Sequence, residues 1–308
     1  MENIDELKRE AEEAKERIKK DMTEIAEILG KIAEEAGERG KTRVLEAMER
    51  VEKRIGETLQ TVEKRLEKAI TIACECSVET GSVVTKKMDM TDFTNVEVGH
   101  AFKVDITRSD SYSVNITASE NLFDCMDVTK SGSTLKISLK PLRFQARPTL
   151  EARITMPSLS KLRLAGATRG KVRGFSSQEN FDLMLSGGST LDIDMETGDT
   201  RFEISGASRL CGNIKAGDAE FVLSGASQAA LKGSADKVVL SAWGASKLDL
   251  ADFALHDTAV HLKGASQAAV NVNGRLDLDL SGCSRLKYKG NPTIHEVSVS
   301  GASTISQE

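Results

Sequence analysis

From residue 162 onward, apolar and polar side chains alternate in short bursts, and each burst runs into a glycine. Two residues before the glycine stand Leu164, Leu185, Ile204, Leu223, Ala242, Leu262, Leu280 and Val299. Four before it stand Leu162, Leu183, Phe202, Phe221, Leu240, Val260, Leu278 and Val297. The residues between these columns are mostly polar or charged, so the period is two and each repeat is predicted to hold a strand with one buried face. A second, weaker strand follows the glycine, marked by Leu191/Ile193, Leu248/Leu250, Ala268/Val270 and Leu286/Tyr288. A helical reading fails, because residues i and i+2 lie on opposite sides of a helix.

The glycines open eight Gly-small-Ser/Thr triplets, from Gly166-Ala167-Thr168 to Gly301-Ala302-Ser303, at intervals of 21, 19, 19, 19, 20, 18 and 19 residues. So short and steady a period predicts a mainly β protein, a single-stranded β-helix or solenoid with about 19 residues per coil. Coils stacked about 4.8 Å apart would make a rod of about 40 Å. Like residues then lie above like residues. The predicted corner ladder consists of Gly187, Gly206, Gly225, Gly244, Gly264, Gly282 and Gly301 with Ser189, Ser208, Ser227, Ser246, Ser266, Ser284 and Ser303. A glycine suits a corner that needs positive φ or a close backbone approach. The hydroxyl row could be a ligand or nucleophile row, or it could bond the corner backbone as short polar side chains do in turns. The structural reading is favoured, since a catalytic site needs different groups at one place. Trp243 occupies a position where serine is usual, either as a contact patch or lying flat over its corner.

The first third has another pattern. Ile4, Ala11, Ile18, Ile25 and Ile32 recur every seven residues, with Leu7, Ala14 and Ile28 as companions, which is a heptad seam. Gly37-Glu-Arg-Gly40 suits a helix end and a tight turn. Val44, Met48, Val51, Ile55, Leu59, Val62, Leu66 and Ile70 then follow an eleven-residue repeat, expected to give a nearly straight stripe. Residues 1–73 are therefore predicted to form a helical hairpin or coiled coil that associates with copies of itself. A solvated helix packed on the rod is the competing reading. Residues 74–92 read as a linker and 93–306 as the β-helix, with opening coils at 93–157 and regular coils at 158–306.

Composition narrows the function. Aromatics are 4%, and the candidate core is Leu, Val, Ile and Ala, which suits a narrow solenoid better than a globular pocket. The net charge is −5 with both signs interspersed, and no basic stripe with interleaved aromatics argues for nucleic acid as a partner. No run of eighteen apolar residues predicts a membrane span. The opening MENIDELKRE has neither a basic nor an apolar signal region, so the protein reads as cytoplasmic as written, or as a cell-surface protein if an export signal is missing. The five cysteines, Cys74, Cys76, Cys125, Cys211 and Cys283, form no pattern and read as reduced thiols. Cys283 replaces the small residue of its triplet and is expected to be buried.

Candidate chemistry is thin. Asp192, Asp194, Asp218, Asp249, Asp252, Asp277 and Asp279 are scattered along the rod. Asp192 and Asp249 share one column with Cys211 and Ala230, without forming a compact acidic pair. His100, His256, His261 and His295 lack metal-ligand spacing, and no nucleophile elbow or phosphate-binding glycine loop is present. Neither catalytic residues, a metal nor a cofactor are predicted.

The segments before the regular coils are Phe93-Thr-Asn-Val-Glu-Val, Phe102-Lys-Val-Asp-Ile, Tyr112-Ser-Val-Asn-Ile, Asn121-Leu-Phe-Asp, Gly132-Ser-Thr-Leu-Lys-Ile-Ser-Leu and Leu150-Glu-Ala-Arg-Ile-Thr-Met-Pro157. With the Ser-Gly-Ala-Ser coils that follow, this order resembles the auto-transporter adhesin head domain family, also called the GIN domain, over residues 88–306. The resemblance implies a β-helix, an extracellular or surface role and no established catalytic residues. The expected function is a non-enzymatic structural or interaction protein, an adhesin-head-like β-helix presented on an oligomerising helical segment. Its expected partners are further copies of itself through residues 1–73 and a protein or glycan surface. Two alternatives stand beside it: a cytoskeleton-like polymer assembling end to end, and a polysaccharide-binding or -cleaving β-helix.

Overall fold

Strand pairing accounts for almost all the regular structure in the computed structural model, which describes residues 82–140 and 149–308, all within the unit Val78–Glu308. The predicted helical segment 1–73 and the start of the linker lie outside the described residues. The early strands are β1 (Val83–Met88), β2 (Asn95–Val98), β3 (Lys103–Arg108), β4 (Ser113–Ser119), β5 (Met126–Ser131), β6 (Thr134–Leu139) and β7 (Leu150–Met156). The coils follow as β8 (Lys161–Leu164), β9 (Arg169–Ser176), β10 (Phe181–Leu185), β11 (Thr190–Glu196), β12 (Thr200–Ile204), β13 (Arg209–Lys215) and β14 (Ala219–Leu223). They continue as β15 (Gln228–Ala242), β16 (Lys247–Leu262), β17 (Gln267–Val272), β18 (Arg275–Leu280), β19 (Arg285–Lys289), β20 (Thr293–Val299) and β21 (Thr304–Gln307).

Each repeat is one coil of a flattened β-solenoid with two walls. The strand before the glycine joins a first parallel wall, β8–β10–β12–β14, continued by the second half of β15, the second half of β16, β18 and β20. The strand after it joins a second wall, β9–β11–β13, continued by the first halves of β15 and β16, then β17, β19 and β21. Register places Leu162, Leu183, Phe202, Phe221, Leu240, Val260, Leu278 and Val297 in one continuous column. All but the last are buried, and the rings of Phe202 and Phe221 stack at 4.7 Å and 15°. Burying each such side chain contributes about 1.5–3 kcal/mol, which is why the alternation dominates the sequence.

The pattern before residue 158 resolves differently from a run of coils. β2 and β3 form one coil whose strands pair directly with β8 and β9, although about fifty residues of chain lie between them. His100 and Ala101, at φ 61° and 65°, take the corner there, and the His100 Nδ1 accepts the Leu139 backbone N–H at 3.2 Å. The intervening chain closes this end of the solenoid. β6 and β7 extend the two walls in parallel, whereas β5, β4 and β1 add antiparallel strands outside them. A 3-10 helix, Glu120–Cys125, buries Leu122 and Cys125 at this end. At the other end, Val297 and Val299 occupy columns that are buried in every earlier coil, yet they are 56% and 44% exposed. No helix among the described residues is long and apolar enough to cross a membrane.

Candidate functional site

The corners set the geometry of both walls. The eight triplet glycines have φ between 71° and 84°, a region that an L side chain enters only under strain. At Gly206 a Cβ would lie 2.5 Å from the Gly187 carbonyl oxygen, the same oxygen that accepts the Ala207 N–H at 2.7 Å. The corner backbones therefore bond one another directly, coil to coil. Thr168, Ser189, Ser208, Ser227, Ser246, Ser266 and Ser284 are buried. Most of these hydroxyls donate across their own corner to the carbonyl three residues back: Thr168 to Ala165 at 2.8 Å, Ser189 to Ser186 at 2.9 Å, Ser246 to Trp243 at 2.9 Å, Ser266 to Lys263 at 2.9 Å and Ser284 to Ser281 at 2.7 Å. Ser227 and Ser246 also meet at 3.4 Å, and Ser303 donates to the Gly282 carbonyl at 3.4 Å. Ser208 Oγ is buried without a partner. A row so enclosed offers nothing to a solvent-borne ligand.

The opposite edge carries a second ladder that periodicity reasoning overlooked. Asn180 Oδ1 accepts the Asp199 N–H at 3.1 Å, Asp199 Oδ1 accepts that of Asp218 at 3.0 Å, and Asp218 Oδ1 accepts that of Lys237 at 3.1 Å. Asp257 Oδ1 does the same for Arg275 at 2.8 Å, and two residues further along, inside β18, Asp277 Oδ1 accepts the Glu296 N–H at 3.3 Å. The signal was present: Asp199 and Asp218 both stand twelve residues past their glycines. They belong to turns that join coils, not to an acid–base pair.

A recess interrupts the outer side of the second wall. It is a trough of about 620 Å³ across β9, β11, β13 and the first halves of β15 and β16. Its floor is the column Asp192–Cys211–Ala230–Asp249, and beside it runs the column Arg173–Asp194–Asn213–Lys232. Two causes are visible. Cys211 and Ala230 are small, and Gly212 takes the inward-facing place between Ile193 and Leu231 without a side chain to prop the wall outward. Gly212 and Gly233 have φ of 137° and 127°, and a Cβ on either would overlap the backbone carbonyl of the coil below, Ile193 or Ile214. Register shifts at Asp194/Met195, Ala230/Gly233 and Leu250/Ala254 then bend the strands around the recess, as bulges do.

The polar groups of the trough are largely engaged with one another. Arg173 Nη2 meets Asp192 Oδ2 at 2.5 Å, while its Nη1 donates to the carbonyls of Val172 at 2.9 Å and Asp192 at 3.2 Å. Asn213 Nδ2 donates to Asp194 Oδ1 at 3.3 Å, Lys232 Nζ meets Asp252 Oδ2 at 3.2 Å, and Asp249 Oδ1 accepts the Ala251 N–H at 3.2 Å. The Cys211 thiol donates to the Leu191 carbonyl at 3.6 Å. Burial, with Asp192 adding to it, pushes its pKa up, so the sulfur is a neutral thiol rather than a nucleophilic thiolate.

The remaining candidates are dispersed. Trp243, 46% exposed, stands in its corner just past the end of β15, and Val239 on that strand is exposed too. His261 lies 3.8 Å from Asp279, His256 3.9 Å from Asp257 and His295 3.3 Å from Asp277. No cluster of three metal-ligating side chains occurs among the described residues. Two cysteine expectations are corrected. Cys283 is exposed rather than buried, because the middle residue of a triplet sits on the outside of the corner. Cys125, buried at the closed end, is disulfide-bonded rather than reduced.

No curated protein matches the sequence. Among solved structures, a "putative lipid binding protein" from Parabacteroides distasonis is 17% identical with a TM-score of 0.69, aligning 74% of this chain with 97% of that one. A "putative adhesin" from Parabacteroides merdae gives the same identity, TM-score and coverage. A "putative adhesin" from Parabacteroides distasonis is 16% identical with a TM-score of 0.68, at 74% and 98% coverage. At such identities the likeness establishes the fold. Residues 92–292 match the family model described as "Putative auto-transporter adhesin, head GIN domain", and the chain belongs to that family.

Proposed function

We propose that this chain is a non-catalytic interaction module displayed at a cell surface, an adhesin-head-like solenoid whose copies are brought together by residues 1–73. The observation that carries this reading is the trough. It is a ligand-sized recess on a wall bounded by ladders on both edges, in which Arg173 meets Asp192 and Lys232 meets Asp252. General acid–base chemistry needs a carboxyl free to exchange its proton with substrate. Here Asp192 is engaged by Arg173, Asp252 by Lys232, Asp194 by the Asn213 amide and Asp249 by the Ala251 N–H, and among the described residues the one sulfur lining the recess is a neutral thiol. Such a surface suits binding. A disulfide at Cys125 fits an oxidising compartment, as surface display requires. Multiple heads on one helical stem would raise avidity without any new contact. Head-to-tail polymerisation draws less support, because antiparallel strands and a 3-10 helix that buries Leu122 and Cys125 close one end of the solenoid.

The test is adhesion of beads coated with the full chain to bacterial and host cell envelopes, run with hydrolysis and lyase assays on the same material. Adhesion without turnover is expected. Turnover that disappears when Asp192 and Asp249 are substituted overturns the non-catalytic reading. Sedimentation equilibrium of the full chain checks the assembly, and a monomer at micromolar concentration refutes it.

A further inference from the structure

We infer that the trough binds an extended, neutral polysaccharide lying along the solenoid axis, with each tier of polar side chains meeting one sugar ring. The inference deepens the adhesive reading and rests on it. The tiers are Asp192 with Asp194, Cys211 with Asn213, Ala230 with Lys232, and Asp249 with Asp252, carried by four successive coils in parallel register. Successive coils are about 4.8 Å apart, so the tiers span about 14 Å. That spacing is on the scale of one pyranose ring. An extended peptide advances only about 3.3 Å per residue, so its side chains fall out of step with the tiers after the first contact.

The chemistry of the lining points the same way. Asp, Asn, Arg and Lys side chains alternate donors with acceptors, and a carboxylate that gives one oxygen to a neighbour keeps lone pairs for a ligand hydroxyl. Arg173, bonded to Asp192 and to the Val172 and Asp192 carbonyls, is held in place before a ligand arrives, so less ordering is needed at its tier on binding. Four carboxylates face two cations, and the excess of negative charge excludes anionic glycans and phosphates. Among the described residues no aromatic side chain lines the recess, so a sugar ring here is held by hydrogen bonds and by packing on the small floor rather than by stacking. The small floor residues Cys211 and Ala230 leave space for the body of a ring above them.

Isothermal titration of the full chain tests this with cellohexaose, xylohexaose and mannohexaose, and with hexalysine and hexagalacturonate as charged controls. At least one neutral oligosaccharide is expected to bind, with affinity rising from its disaccharide to its tetrasaccharide. Ala230→Arg, which fills the floor from an exposed position, is expected to weaken that binding at least about tenfold. Asn213→Ala is expected to weaken it about threefold or more, and it serves if the bulkier variant fails to fold. Preferred binding of hexalysine, absence of binding to every neutral sugar, or undiminished binding by both variants overturns the inference. If bead adhesion is lost in Ala230→Arg while no sugar binds, the ligand class is refuted and the adhesive reading stands.

Discussion

A serine at each corner has two very different neighbours depending on the coil. Ser189 spends its hydroxyl on the Ser186 carbonyl, whereas Ser208, one coil on, is equally buried with no partner. Removing a buried donor from a made bond costs about 0.5–1.5 kcal/mol, and removing one that is already unsatisfied costs little or even stabilises. Ser189→Ala is therefore expected to lower the chemical-denaturation stability by about 1 kcal/mol, and Ser208→Ala to leave it unchanged or raised. Equal losses in both would refute this account of the ladder. Gly206→Ala is a harsher change. It combines positive φ with a Cβ driven against the Gly187 carbonyl, and a loss of about 1–3 kcal/mol is expected from the same measurement. The corner glycines and their serines were readable from sequence because every copy repeats the same demand. Which hydroxyl lacks an acceptor was not readable, since that depends on side-chain rotation within one corner.

At the level of strands and turns, the carboxylate ladder ties the second edge together. Asp257 accepts the Arg275 backbone N–H, and this bond holds its carboxyl below the usual range. A carboxyl held low in the folded chain stabilises it above the unfolded value, about 3.9, and that contribution fades as pH falls through the lower folded value. Thermal melts are thus expected to show a loss of stability below about pH 4, and Asp257→Asn to show a shallower loss over the same window. Identical acid profiles for both proteins would remove Asp257 from the explanation. Glu196, held low chiefly by its hydrogen bond from Lys215, adds to the same acid sensitivity. Alternation made the wall strands legible, residue by residue, in the Leu183 and Leu185 columns. The closed end was not legible. β4 alternates like any other strand, whereas β5 has three half-buried residues followed by three exposed ones, and neither pattern says that the strand runs antiparallel. The trough was half legible: the column Asp192–Cys211–Ala230–Asp249 could be written down from spacing alone, but the inward glycines and register shifts that hollow it out could not.

Over the whole solenoid, stability is expected to be graded, because each coil touches only its neighbours. Hydrogen exchange should be slowest for amides in β12 to β15, where the wall is covered on both sides and the Phe202–Phe221 stack lies. It should be fastest in β20 and β21, whose interior column residues Val297 and Val299 meet solvent. A uniform exchange rate from β8 to β21 would mean that the coils open as a single block. Phe221→Ala is expected to cost about 3–5 kcal/mol and to speed exchange on both sides of the gap, through the columns above and below it.

The register that stacks Gly225 on Gly206 and Gly206 on Gly187 has a consequence for how such a molecule can change length. Any segment running from one triplet to the next carries one corner and one strand for each wall, so its excision or duplication would keep the corner glycines stacked and change only the local contacts of the coils it joins. The coils holding Gly212 and Gly233 are the exception. Duplicating them would elongate the trough and excising them would erase it, so the recess is a mark of position along the stack that these two coils carry.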